Sequence, residues 1–272
     1  MADEKPEARR VTLREVARIK RGGEKLVVVT AYDVLFARIV DSCGVDIVLV
    51  GDSVGNVVAG FDSTLPVTLE QMIYHGAAVR RGVKRALLVV DMPFLSYQAS
   101  VERAILNCGR VLQETGADAV KVEGGNPDMF DTVRALTRTG IPVMAHLGFT
   151  PQSVRTLGMR VQGRDAGDRE RLIAEARSLE DAGAFSLVLE LIPTDVARDV
   201  TSAVTIPTIG IGAGPHCDGQ VLVLPDLLGL NDGFAPKFLK RYADLAGVTR
   251  DAIGRYATEV REGSYPDAEH SN

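Results

Sequence analysis

Short apolar runs alternate along the chain with longer stretches of helical period. The runs are Leu26–Tyr32, Asp46–Asp52, Ala86–Met92, Ala119–Glu123, Pro142–Leu147, Phe185–Ile192, Pro207–Ile211 and Gln220–Leu224. Between them, residues 33–43, 68–81, 100–114, 128–138, 168–182 and 195–203 read as helices. In the third of these Val101, Ala104, Ile105, Cys108, Val111 and Leu112 recur at three- and four-residue steps, the mark of one buried helix face. Thr68 with Gln71 three residues on has the spacing of a capping box. A further helical region is predicted over 236–260. Continuous Val, Ile and Leu runs suit strands covered on both faces, as in a parallel sheet. Eight such strands with intervening helices in about 250 residues match the size of a (β/α)₈ TIM barrel. A doubly wound open sheet is the rival, but the first strand-to-helix turn, TAYDV, lacks the glycine spacing of dinucleotide binding. Without repeats, linkers or low-complexity segments, 1–272 reads as a single domain with a C-terminal helical extension, and 1–10 and 264–272 as flexible tails.

Composition narrows the class. The formal net charge is −5, with 46% apolar and 25% charged residues, as in a globular protein and not a disordered one. A mildly acidic chain has no global field for nucleic acid, and no run approaches the ~20 apolar residues of a membrane span. The charged N-terminus has no secretory core, so a cytoplasmic location is expected. Three cysteines with no CxxC spacing argue against a disulfide framework or zinc site. Cys43 and Cys108, among apolar neighbours, read as buried and inert.

In a barrel the chemistry sits at the C-terminal ends of the strands. Those ends carry Tyr32, Asp52 with Ser53, Asp91, Lys121 with Glu123, His146, Glu190, and Gly212 with Gly214. A charge ending a Val/Leu/Ile strand has no packing use, and burying one is costly unless it is paired or binds metal. Asp52 alone also suits a helix N-cap. Lys121 and Glu123, two apart on a strand, share a face. Asp52, Asp91 and Glu123 offer only oxygen donors, with no His/Cys cluster, which favours Mg²⁺ over Zn²⁺. Mg²⁺ held this way would chelate and polarise a 2-oxo acid. Tyr32 and His146 read as possible wall residues. The loop 148–167, with Arg155, Arg160 and Arg164, reads as a lid, a subunit contact or a solvated basic segment. The Gly-rich run Thr208–Gly219 has neither P-loop nor Rossmann spacing.

Several long segments together resemble the ketopantoate hydroxymethyltransferase family. They are TAYD (30–33), GDSVGNVVAGFDSTLPVTLEQMIYH (51–75), DMPF (91–94), VKVEGG (120–125) and PVMAHLGFTPQSV (142–154). RVQGR (160–164), LELIP (189–193) and IGIGAGPHCDGQVLV (209–223) extend the match, which runs from about Thr30 to Tyr265. The resemblance implies a barrel of the phosphoenolpyruvate/pyruvate-binding group. It implies hydroxymethyl transfer from 5,10-methylenetetrahydrofolate to 3-methyl-2-oxobutanoate with one Mg²⁺ per subunit, giving 2-dehydropantoate for pantothenate synthesis. By motif, Asp52, Asp91 and Glu123 would form the metal site, Glu123 either directly or through water. Asp52, Ser53, Asp91 and Lys121 would bind the substrate, and Glu190 would be the proton acceptor. The family forms ring-like homo-oligomers, commonly decamers. Asn56, Phe61 and the LGM before RVQG depart from the family pattern outside the charged set. A Mg²⁺-dependent C–C lyase or aldolase of the same barrel group, acting without folate, is the alternative. A Schiff-base aldolase using Lys121 is a further rival, but neighbouring Glu123 opposes the lowered pKa such a lysine needs.

Overall fold

Side-chain alternation on eight short strands builds the core. In the computed structural model, which describes residues 9–158 and 160–271, the strands are β1 (Leu26–Thr30), β2 (Ile47–Val50), β3 (Leu87–Asp91), β4 (Ala119–Glu123), β5 (Val143–Gly148), β6 (Ser186–Glu190), β7 (Thr208–Ile211) and β8 (Gly219–Leu222). All pair in parallel and in sequence order, and β8 returns to β1 to close the barrel. The doubly wound alternative is thereby excluded.

Successive strand residues face opposite sides. One set, including Leu26, Val28, Ile47, Leu49, Leu87, Val89, Ala119, Met144, Val188, Ile209 and Val221, forms a single buried cluster. Residues of the same parity further along β3 to β6 are Asp91, Lys121, Glu123, His146 and Glu190. The barrel lining is therefore apolar at the N-terminal ends of the strands and charged at the C-terminal ends. The N-terminal end is covered by α1 (Leu13–Gly22), whose Val16 and Ile19 join the same cluster as Val11. This helix carries few apolar residues and is not among the predicted elements. Its Thr12 cap and left-handed Gly23 C-cap delimit it, and the open barrel end supplies the surface that its two buried side chains need.

The helices outside the barrel are α2 (Val34–Ser42), the short α3 (Val54–Val57), α4 (Leu69–Arg80), α5 (Val101–Thr115), α6 (Pro127–Arg138), the short α7 (Val154–Leu157), α8 (Ala166–Asp181) and α9 (Thr194–Ala203). Six of them follow the predicted positions closely, and the short α3 and α7 lie where no helix is predicted. Thr68 and Gln71 make both bonds of the capping box that begins α4. Asp33, Ser100, Asn126 and Asp165 cap α2, α5, α6 and α8 through their side chains.

Contacts sort the described chain into two compact units that divide after Leu222. The second contains α10 (Leu224–Leu227) and α11 (Leu245–Glu262). The helix predicted over 236–260 is shorter at its start, because Asp244 caps Gly247 and 236–244 forms an extended loop. Tyr265 packs edge-on against Tyr256 of α11, and Ala268–His270 forms a 3₁₀ turn. Of the expected tails, residues 1–8 and 272 lie outside the described residues. Among the described residues no helix is long and apolar enough to cross a membrane.

One cysteine assignment changes and another holds. Cys43 ends α2 and is exposed, not buried, because the helix turns its last position outward. Cys108 is buried, and burial pushes its thiol up to about 12. Cys217 is also buried and shifted upward, chiefly by desolvation. Thiolate is the reactive form, so a thiol-specific reagent at pH 8 should modify Cys43 alone in the native chain and all three after denaturation. Rapid native labelling of Cys108 or Cys217, located by mass spectrometry, would contradict this placement.

Candidate active site

Barrel closure brings together charges that stand as far apart in the chain as Asp52 and Glu190. Strand register sets the neighbours: Asp91 pairs with Lys121, Glu123 with His146, and Gly148 with Glu190. Lys121 Nζ lies 2.8 Å from Asp91 Oδ1 and 3.9 Å from Glu123 Oε1. His146 stands between two carboxyl groups, its Nδ1 3.4 Å from Glu123 Oε1 and its Nε2 3.4 Å from Glu190 Oε2. Asp52 lies just beyond β2, and its backbone N–H donates to Asp91 Oδ2 at 3.0 Å. Tyr32 and Ser53 share a hydrogen bond of 2.8 Å between their hydroxyls, and the Tyr32 carbonyl lies 2.7 Å from His75 Nδ1. The side chains of Asp91 and Glu123 are 3% exposed, whereas that of Glu190 is 18% exposed, so Glu190 is the acidic group open to an incoming molecule. β6 ends at Glu190 itself, earlier than predicted, and Leu191 follows with φ 47°, a left-handed conformation rare for a branched residue.

The electrostatics are those of an acidic cluster short of positive charge. Desolvation, with Glu123 and Asp91 close by, pushes Asp52 up to about 8. Burial also raises Asp91, against the pull of Lys121. Burial works against charge on Glu123 too, but His146 and Lys121 outweigh it and hold that carboxyl below its ordinary value. His146 is raised to about 9, since its contacts with Glu123 and Glu190 overcome desolvation. Burial likewise opposes the charge on Lys121, yet Asp91, Glu123 and Asp52 lift its pKa above the ordinary lysine range. A lysine held as ammonium is a poor Schiff-base nucleophile, which counts against that rival.

Four carboxyl groups thus face two cationic side chains. Asp91 Oδ1, Glu123 Oε1 and both His146 ring nitrogens are buried and make no hydrogen bond of ordinary geometry, only ion-pair approaches. This is an environment that a hard divalent cation fits: oxygen donors, excess negative charge and unsatisfied buried atoms. Among the described residues no three His, Cys, Asp or Glu side chains are grouped so as to enclose an ion by themselves. Few protein ligands and several positions left to water and substrate are what Mg²⁺ commonly accepts.

Reading strand ends alone misses two members of the cluster, Tyr97 and Gln152. Both are buried and lie in the loops after β3 and β5. Tyr97 Oη accepts from Glu123 N at 2.9 Å, and Gln152 Nε2 donates to Asp52 Oδ2 at 2.9 Å. Their sequence signal is position: each follows a charged strand end within six residues. The Gly214 carbonyl accepts from Gln220 Nε2 at 2.9 Å. The Gly-rich run is tied down elsewhere, with Asp218 bonded to Thr208 and paired with Lys20 of α1. Arg155, Arg160 and Arg164 are exposed. Their loop is anchored inward by the buried Gln152 and Gln162, the first through Asp52 and the second through its N–H, which donates to the Leu191 carbonyl at 3.0 Å.

Comparison with known proteins gives this geometry its family. The sequence profile described as ketopantoate hydroxymethyltransferase matches residues 10–268. The 3-methyl-2-oxobutanoate hydroxymethyltransferase of Moorella thermoacetica is 55% identical over 263 residues, covering 96% of this chain and 97% of that protein. The protein of the same name from Pelobacter propionicus is 54% identical, covering 97% of both chains. Among solved structures, 2,3-dimethylmalate lyase of the PEP mutase/isocitrate lyase superfamily superposes with a TM-score of 0.60 at 16% identity, covering 96% of this chain and 91% of that one. Phosphonopyruvate hydrolase in complex with oxalate and Mg²⁺ gives 0.60 at 12% identity, covering 95% and 93%. These two likenesses concern the barrel fold alone. With a profile match across nearly its whole length and relatives more than half identical to it, the chain belongs to the ketopantoate hydroxymethyltransferase family.

Proposed function

We propose that this protein is a 3-methyl-2-oxobutanoate hydroxymethyltransferase. It would take the one-carbon unit of 5,10-methylenetetrahydrofolate and, with a water molecule, yield 2-dehydropantoate and tetrahydrofolate. The observation that supports this most is the acidic cluster at the barrel mouth, complete in a chain 55% identical to a protein of that name.

The residues divide the work by position. Asp52 and Asp91 would hold Mg²⁺, which when bound would polarise the 2-oxo group and make the C3 hydrogen more acidic. Glu123 stands behind them, with Oε2 accepting from Gln152 N at 3.0 Å and Oε1 facing His146 and Lys121. Lys121 and Ser53 would bind the substrate carboxylate, Lys121 as a fixed ammonium and Ser53 as a hydroxyl oriented by Tyr32. Glu190, the more open carboxyl group, would remove the C3 proton, with His146 holding its carboxylate in place. Carbon transfer would then form the bond from C3 to the one-carbon unit and a C–O bond from water while both C–N bonds of the folate methylene break, with tetrahydrofolate taking up the C3 proton and one proton of the water. Buried Val, Leu, Ile and Met side chains close the barrel below the charged cluster.

The test is ¹H NMR of 3-methyl-2-oxobutanoate in D₂O with the purified protein. Without folate, the C3 hydrogen should exchange only when Mg²⁺ is present. With methylenetetrahydrofolate added, 2-dehydropantoate should accumulate. Cleavage of a C–C bond without folate would favour the lyase reading, and a borohydride-trapped adduct on Lys121 would overturn the metal-assisted one.

A further inference from the structure

The proposed roles leave two buried side chains of the cluster, Tyr97 and Gln152, unused. Gln152 sits in the 3₁₀ turn Pro151–Ser153 after β5 and is 5% exposed. All four hydrogen-bonding positions of its amide are occupied. Nε2 donates to Asp52 Oδ2 at 2.9 Å and to the Met92 carbonyl at 2.8 Å. Oε1 accepts from Tyr97 Oη at 2.8 Å and from Gln98 Nε2 at 2.9 Å. Its backbone N–H donates to Glu123 Oε2 at 3.0 Å.

These partners fix the amide's orientation. The Met92 carbonyl can only accept, so the NH₂ edge must face it and Asp52. Tyr97 Oη accepts from Glu123 N at 2.9 Å, which turns its own proton toward Gln152 Oε1, at 2.8 Å, in preference to the Glu123 carbonyl at 3.4 Å. A directed chain therefore runs from the Glu123 backbone through Tyr97 and Gln152 to the Asp52 carboxylate. It joins the ends of β2 and β4 through a loop that belongs to β5.

We propose that Gln152 is a positioning residue: its amide holds the Asp52 carboxylate, and its backbone N–H the Glu123 carboxylate behind the metal site, in the arrangement in which Asp52 and Asp91 bind the divalent cation. The proposal rests on the metal roles given above. Glutamine is suited to the position by its chemistry. It donates to Asp52 without adding charge, accepts from Tyr97, and reaches both from one side chain. Glutamate would set another acid against Asp52, and an apolar side chain would leave Asp52 Oδ2 and the Tyr97 hydroxyl without their partner. Groups that orient metal ligands in this way typically govern affinity or activity by about 10–100-fold.

The experiment is Mn²⁺ binding by isothermal titration calorimetry, with thermal melting and steady-state kinetics on the same samples. Gln152→Met keeps the length of the side chain and removes the amide. It should weaken Mn²⁺ binding by about 10–100-fold in samples that still melt cooperatively, even though the lost buried hydrogen bonds lower the metal-free melting temperature. The metal concentration needed for half-maximal rate should rise more than kcat falls, because saturating metal restores part of the occupied site. Tyr97→Phe removes only the hydroxyl that orients the amide and should weaken binding about tenfold, near the low end of that range. It decides the matter if Gln152→Met does not fold. Asp52→Ala is the control for the site itself. If Asp52→Ala abolishes binding but Gln152→Met and Tyr97→Phe bind like wild type, the positioning role is wrong and the metal site stands. If wild type and Asp52→Ala bind alike, the metal roles fail and the positioning role fails with them.

Discussion

Glu190→Gln should slow C3–H exchange of 3-methyl-2-oxobutanoate by about 10²–10⁴-fold, the usual contribution of a placed general base. The substitution keeps side-chain volume and removes only the ability to take a proton. Glu190 is 18% exposed and contacts His146 through Oε2, so its loss leaves the buried pairs Lys121–Asp91 and Lys121–Glu123 intact. The fold should accordingly be unaffected, and Mg²⁺ should still bind. The effect should fall on kcat and kcat/KM together, because proton removal belongs to the transition state and not to ground-state binding. Deuterium incorporation without folate isolates this step from the later carbon transfer. Exchange at the wild-type rate in Glu190→Gln would remove Glu190 as the base.

Gly148→Ala should be the most damaging single-methyl change at the mouth. Gly148 has φ 96°, which an L side chain rarely adopts. An added Cβ would collide with the Glu190 carbonyl oxygen and lie 2.8 Å from Ile192 Cγ2. That oxygen cannot yield freely, because it accepts from Phe149 N at 2.8 Å. Left-handed strain of about 1–3 kcal/mol and overpacking of about 1–3 kcal/mol act together. At roughly 2–4 °C per kcal/mol for a chain of this size, the melting temperature should fall by about 10 °C. The clash is with the backbone of Glu190 itself, so exchange activity in the surviving folded protein should fall as well. Gly140→Ala is the matched control, since Gly140 has φ 87° but nothing within 4 Å of the added carbon. It should lose about 1–2 kcal/mol from strain alone and keep its activity. Equal losses in the two variants would show that strain, and not the contact with Glu190, dominates at Gly148.

Much of the fold is legible because its signals are local. The barrel strands are short, largely apolar runs, and α2, α4, α5, α6 and α8 each begin at a side-chain cap, as with Thr68 and Gln71 at α4. A helix that local pattern does not reveal, α1, has a cap in Thr12 but only a short apolar face. α1 buries only Val16 and Ile19 and has a partner surface only once the barrel has closed. The segment 236–244 has helix-compatible residues, but the Asp244 cap places the helix start after it.

The site divides in the same way. Asp52, Asp91, Lys121, Glu123, His146 and Glu190 are visible as polar residues ending apolar strands, since burial there demands a reason. Tyr97 and Gln152 are not, because a tyrosine or glutamine in a loop is ordinary until its partners are known. Chain order and side-chain alternation determine that this protein alternates strands with helices, the strands apolar at their starts and several of them charged at their ends, and it is the closed sheet that excludes the open, doubly wound alternative. Only the tertiary structure decides that His146 stands between Glu123 and Glu190, that Lys121 faces Asp91, and that Gln152 ties Asp52 to Glu123. Those contacts join residues far apart in the chain, up to 100 positions for Asp52 and Gln152. They cross strand registers and loops whose meeting depends on closure of the whole barrel and which no local pattern encodes.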